Sequence, residues 1–230
     1  YLGHQSSFDL SFKFHPVSIM PNFLDENVIL YFENNSLARI LSNVCTHRAH
    51  LILNNPCHHN HLQCPYHGRK FNSQGYIENA TGFELHKEYH QINEKLPVFD
   101  FINWNGFHFL IPYKIVIGDI LGEFSDELNW YPFEELVPEP NFIKEFELDA
   151  HWALYVENYL EGFHIPFIHK GLAKEIRIND YKVELLPRAI IQTAIGKSDE
   201  NTFNNFQDVT EKYKNLVAIY LWIYPNIMIN

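Results

Sequence analysis

Two short segments constrain this chain more than any other: Cys45-Thr46-His47-Arg48 and Cys64-Pro65-Tyr66-His67-Gly68. Each places a cysteine and a histidine two or three residues apart, and sixteen residues (Arg48 to Gln63) separate His47 from Cys64. A residue pair this close can aim both side chains at one point only from a tight turn, so each segment must be a loop. The chain is expected to bring the two loops together from opposite sides of one metal centre.

Two thiolates and two imidazoles are the ligands of a Rieske [2Fe–2S] cluster, in which histidines replace cysteines on one iron. Zinc accepts the same four donors, but zinc sites usually pair Cys with Cys and His with His, whereas here each pair is mixed. Tyr66 is expected to hydrogen-bond a cluster sulfur or thiolate from the second loop. The intervening Cys57-His58-His59-Asn60-His61 run reads as a solvated loop, and His50 is left without an assignment.

Composition narrows the setting. The formal charge of −11 argues against a nucleic-acid partner, since phosphate binding needs a basic face. Three cysteines do not suggest a disulfide framework, and thiols free for metal suit a reducing compartment. No apolar run approaches the roughly 18 residues needed to cross a bilayer, and no signal-peptide pattern opens the chain. A cytoplasmic protein without membrane contact is the expectation. Tyr1 is not a methionine and Asn230 stops inside an apolar alternation, so the chain reads as part of a longer protein, lacking residues at both ends.

The pattern of elements predicts two domains, 1–113 and 114–230. In the first, strands are expected at Val28–Phe32 and Leu37–Val44 around the turn 33–36. Short strands should follow near 61–64, 69–71 and 76–77, with a closing strand at 106–111. The second should open with a helix over 118–128 and a proline-punctuated crossing. A strand at Phe142–Leu148, a helix at about His151–Phe163, and long antiparallel strands at Tyr181–Ile195 and Leu216–Tyr224 complete it. The fold class is α+β: a small all-β domain followed by an α+β domain with an antiparallel sheet.

A second constellation lies in Asn158-Tyr-Leu-Glu161-Gly-Phe-His164-Ile-Pro166-Phe-Ile-His169. On a helix Glu161 and His164 would share a face. Pro166 is expected to end that helix and let the chain turn His169 back towards His164. Two histidines and a carboxylate with open positions form the facial triad of non-haem Fe(II) oxygenases.

With both constellations in view, the chain resembles the oxygenase (alpha) component of Rieske non-haem iron oxygenases, the aromatic ring-hydroxylating type. Residues 158–169 are most similar to the choline and carnitine monooxygenase branch. The resemblance implies that Cys45, His47, Cys64 and His67 bind the [2Fe–2S] cluster and that His164 and His169 are two ligands of a mononuclear Fe(II). Glu161 matches a carboxylate that bridges the two centres between subunits; the family more often has Asp here. Trp152 and Asn158 match positions around the iron. The family's third iron ligand, a carboxylate on a late helix, has no match before Asn230. A catalytic domain of helix-grip type, C-terminally incomplete, is implied, together with a homotrimer and electrons from NAD(P)H through a separate flavin- or ferredoxin-type reductase. O2 and a small organic substrate, a methylated amine or an aromatic ring, would react by hydroxylation or N-demethylation. The alternative is a Rieske ferredoxin-like electron carrier without oxygenase activity.

Overall fold

The structure, a computed structural model, describes residues 1–82, 94–111, 125–200 and 202–230. They fall into two compact units, one containing residues 1–111 with 136–138, the other 125–135 and 139 onward. The boundary expected at 113/114 lies outside the described residues, as does most of the helix expected over 118–128, of which 125–128 are helical.

Among the described residues the first unit is built of strands, with one 3₁₀ turn at Gln5–Ser7. Strands β1 (Gly3–His4), β2 (Phe14–Ile19), β3 (Glu26–Glu33), β4 (Ser36–Ser42), β8 (Val98–Trp104) and β9 (Phe107–Ile111) form a six-stranded sheet in the order β1-β9-β8-β4-β3-β2. Strands β5 (His61–Gln63), β6 (Lys70–Asn72) and β7 (Ile77–Asn79) form a three-stranded sheet. The β3–β4 hairpin turns on Asn34 and Asn35 at φ 50° and 62°, the left-handed pair that matches strand twist in a two-residue turn.

The run Val28-Ile29-Leu30-Tyr31-Phe32 is apolar at every position because both faces of β3 are covered. Val28, Leu30 and Phe32 face a cluster with Leu2, Leu37 and Ile40. Ile29 and Tyr31 face the other way, into a cluster with Phe14, Leu41, Ile52, Leu62, Phe71, Leu96 and both Cys45 and Cys64. Successive strand residues point to opposite faces, so one unbroken run serves two cores. The candidate ligand cysteines are thus part of the packing around the small sheet, not an appendage of it.

The second unit contains α1 (Trp152–Tyr159), α2 (Ile165–Ile168) and α3 (Lys170–Glu175), then the antiparallel sheet β10 (Lys182–Leu186), β11 (Ala189–Ile195), β12 (Leu216–Ile223) and β13 (Ile227–Ile229) in sequential order. Ile165 and Ile176 pack on Ala194 of β11, with Leu172, Val217 and Ala218 around them.

Several expectations change. The stretch Tyr181–Ile195 is a hairpin, broken where Pro187 and Arg188 turn the chain between Leu186 and Ala189. The alternating segment 142–148 forms no strand: a 3₁₀ turn at Pro140–Phe142 precedes irregular, exposed chain. Alternation selects a strand only where a partner edge supplies the ladder, and none is recorded for it among the described residues. The helix expected to reach Phe163 ends four residues earlier, at Tyr159.

Candidate functional site

The two cysteine loops are built alike. Cys45 donates its N–H to the His50 carbonyl at 2.9 Å, and its carbonyl accepts the Ala49 N–H at 3.0 Å. Cys64 donates to the Arg69 carbonyl at 2.9 Å and accepts from Gly68 at 3.0 Å. In both, the residue four beyond the cysteine is left-handed: Ala49 at φ 54° and Gly68 at φ 73°. The offsets of five and four are identical although the histidine stands two residues on in one loop and three in the other.

This geometry separates the donors by type. Cys45 and Cys64 are 3% and 2% exposed, within one apolar cluster. His47 and His67 are exposed, their rings 4.7 Å apart, edge to face. Burial pushes the Cys45 thiol above its ordinary value, the His47 backbone N–H at its sulfur pulls the other way, and the neighbouring Cys64 thiol adds to the rise. A thiol buried in an apolar cluster resists ionising until a cation joins it, so metal ligation would be what removes the Cys45 proton. Partial desolvation by neighbouring atoms and then the Arg69 charge lower the His47 pKa, which favours the neutral, metal-binding imidazole. A sulfur pair inside and an imidazole pair outside fit a two-iron cluster with two protein ligands per iron. Among the described residues no three His, Cys, Asp or Glu side chains converge on one point.

Residues that sequence reading did not single out tie the loops together. Thr46 of the first loop and Arg69 of the second both hydrogen-bond Glu94, and the Arg69–Glu94 ion pair is largely sheltered. Tyr66 stands in the second loop beside His67. Its hydroxyl makes no hydrogen bond to either cysteine, and its exposed ring lies 4.0 Å from that of His67 and 5.5 Å from that of His50. The Cys57–His61 run packs on residues 11–14: His58 stacks on Phe12 at 4.2 Å and its Nδ1 meets the Ser11 carbonyl at 2.7 Å.

The second unit brings His164 and His169 together, ring centroids 5.0 Å apart. The route differs from the expected one. Tyr159 ends α1, Leu160 to His164 form a turn, and Pro166 stands in the first turn of α2 instead of terminating a helix. Proline suits that place because the first N–H groups of a helix lack intrahelical partners anyway. Glu161 and His164 therefore meet across a turn, not along a helix face. The carboxylate accepts from His164 Nδ1 and from the N–H groups of Phe163 and, at 3.3 Å, His164. The His164 hydrogen bond first, with the Phe163 N–H, holds the Glu161 carboxyl below its usual range, despite some burial. An ionised carboxylate only accepts, so Nδ1 carries the proton and His164 Nε2 is left with its lone pair for a metal.

The pair opens into a cavity of about 760 Å³ lined by, among others, Asn158, Tyr159, Glu161, Tyr181 and Tyr220. Trp152 lines a separate hollow with Phe146, Leu148 and Met228, so it does not flank the histidines. Asp180 closes a 3₁₀ turn and does not line the histidine cavity. No carboxylate from the described residues joins the histidines to make three donors at one point.

Residues 13–90 match the Rieske [2Fe–2S] domain family. The chain is 28% identical over 201 residues to choline monooxygenase, chloroplastic, of Amaranthus tricolor, covering 81% of this chain and 42% of the relative. It is 26% identical over 212 residues to the carnitine monooxygenase oxygenase subunit of Acinetobacter pittii, covering 90% and 56%. The crystal structure of the quaternary ammonium Rieske monooxygenase CntA with L-carnitine aligns at a TM-score of 0.70 and 20% identity, over 98% of this chain and 58% of that one. Naphthalene 1,2-dioxygenase from Rhodococcus sp. aligns at 0.69 and 15%, over 99% and 58%. The chain thus contains a Rieske [2Fe–2S] domain and is similar in sequence and fold to Rieske oxygenases, and it spans about half the length of the relatives it matches.

Proposed function

We propose that the chain is the Rieske-bearing part of a terminal oxygenase that inserts oxygen from O2 into an organic substrate. Cys45, His47, Cys64 and His67 would hold the [2Fe–2S] cluster, and His164 and His169 two positions of a mononuclear Fe(II). When bound, the cluster supplies single electrons and the iron supplies O2 activation. The third iron ligand, a carboxylate, is proposed to come from outside residues 1–230.

The chain's own groups do the rest. The buried cysteine pair and exposed histidine pair keep the imidazoles at the surface, where an outside electron donor or acceptor can approach. Glu161 holds the Nδ1 proton of His164 and so orients the ring with Nε2 outward. Its bridging role, linking His164 to a cluster histidine of a neighbouring subunit, follows from the resemblance, as do the trimer, the reductase and NAD(P)H as electron source. Tyr159, Tyr181 and Tyr220 give the cavity aromatic walls, which suit a methylated ammonium or an aromatic ring. The carnitine and choline monooxygenase relatives favour the former.

The observation that carries the reading is the second histidine pair: an electron carrier has no use for His164 and His169 held beside an ionised Glu161. Iron analysis of the anaerobically reconstituted full-length protein tests it. Three irons per chain, falling to two in His164→Ala without loss of the reduced-cluster EPR signal, is the expected result. Two irons in both proteins would leave a carrier.

A further inference from the structure

Gln192 stands in the middle of β11, paired with Val183 of β10 and Tyr220 of β12, and its side chain is fully buried. A buried carboxamide is costly unless both of its ends are paired. Here both are: Nε2 donates to the Tyr159 carbonyl at 2.8 Å, and Oε1 accepts from the Tyr181 hydroxyl at 3.0 Å. Chemistry fixes the orientation. A carbonyl can only accept, so the amide nitrogen must face Tyr159, and Tyr181 must then donate.

Both partners lead to the histidine turn. Tyr159 is the last residue of α1, where carbonyls lack intrahelical donors. Leu160 donates to the Val156 and Glu157 carbonyls, and Gln192 takes the Tyr159 carbonyl. Tyr181 lies against Gly162: a Cβ there would come within 2.8 Å of the Tyr181 ring. The turn carrying Glu161 and His164 is thus tied at its origin by a hydrogen bond and backed at Gly162 by a ring, and one side chain fixes both.

We propose that Gln192 is a positioning residue for the His164/His169 pair, setting where the Glu161–His164 turn leaves α1. The inference rests on reading that pair as metal ligands. Gln192 is not among the residues lining the cavity, whereas Tyr159 and Tyr181 are, so it acts through them.

The test uses Gln192→Leu and Tyr181→Phe in the full-length protein, with Co(II) as the probe at the histidine pair and His164→Ala as control. Gln192→Leu leaves the Tyr159 carbonyl and Tyr181 hydroxyl unpaired. It should weaken Co(II) binding about tenfold or more, alter the ligand-field spectrum, and speed amide exchange across residues 162–165. The visible spectrum of the Rieske cluster should not change. Tyr181→Phe keeps the ring and should shift each readout the same way by less. Wild-type affinity, spectrum and exchange in Gln192→Leu would overturn the proposal; if that variant does not fold, wild-type behaviour of Tyr181→Phe overturns it. If His164→Ala binds Co(II) like the wild type, the metal reading of the pair fails instead, and the exchange rates still decide for or against Gln192.

Discussion

His164 donates its Nδ1 proton to the Glu161 carboxylate, and the same carboxylate takes the backbone N–H groups of Phe163 and His164. One side chain therefore closes the turn after α1 and selects the tautomer of a candidate metal ligand. Glutamine in its place keeps an acceptor oxygen but carries no charge. Glu161→Gln is expected to retain all three irons while slowing electron transfer to the mononuclear site by about tenfold or more. Single-turnover kinetics of cluster reoxidation, beside iron content, checks this, and unchanged rates would exclude the bridging role.

Replacing Cys45 by Ser removes one of two adjacent buried thiols from the core of the first unit. The cluster's visible absorption and reduced-state EPR signal should be lost, and the unit should unfold at lower denaturant because cluster binding and folding are coupled. His164-dependent Co(II) binding should persist. Retention of the cluster absorption would remove Cys45 from the ligand set.

The matched loops give a paired test of backbone strain. Gly68 is left-handed and a Cβ there would lie 2.9 Å from the Thr81 hydroxyl, so Gly68→Ala should cost about 1–2 kcal/mol. Ala49 holds the equivalent place with a side chain at φ 54°, so Ala49→Gly should be neutral or stabilising by up to about 1 kcal/mol. Urea unfolding of both variants measures the two changes: Gly68→Ala should lose stability and Ala49→Gly should not.

His108 is fully buried, and neither ring nitrogen has a hydrogen-bond partner among the described residues. Burial, with the nearby His4, lowers its pKa to about 4. Burial also lowers that of His15, which packs on the same Phe8 and Phe32 rings. A histidine whose folded pKa lies below its unfolded value contributes stability that is fully present above the unfolded pKa and is lost as pH falls. For His108 the window runs from about 6.5 down to about 4, and about 2 kcal/mol should be lost between pH 7 and pH 5. Urea unfolding at the two pH values measures it, and His108→Leu should flatten the slope.

Much of the first unit was legible in the chain. The unbroken run Val28–Phe32 reads as a strand, and Glu33-Asn34-Asn35-Ser36 as its turn, because local conformational preference and period agree there. The Cys–His spacings singled out the candidate donors, since ligand chemistry resides in side chains two or three residues apart. The histidine turn was half legible. His164 and His169 were picked out, yet Pro166 was read as the end of one helix when it opens another, because proline fits a first turn as readily as it breaks an interior one.

What stayed hidden depended on partners far along the chain. The segment 142–148 alternates like a strand but pairs with no strand edge among the described residues. Glu94 joins Thr46 to Arg69 across more than twenty residues, and no local pattern announces it. Gln192 left a faint mark, a lone amide in the apolar run Ala189–Ile195, without showing that Tyr159 and Tyr181 would satisfy it. The sequence by itself determined which groups could bind metal and which runs would be strands, because donor type and period are local properties. Only the tertiary structure decided which donors meet and what holds them, because hydrogen-bond satisfaction in a buried place depends on the register of strands remote in sequence.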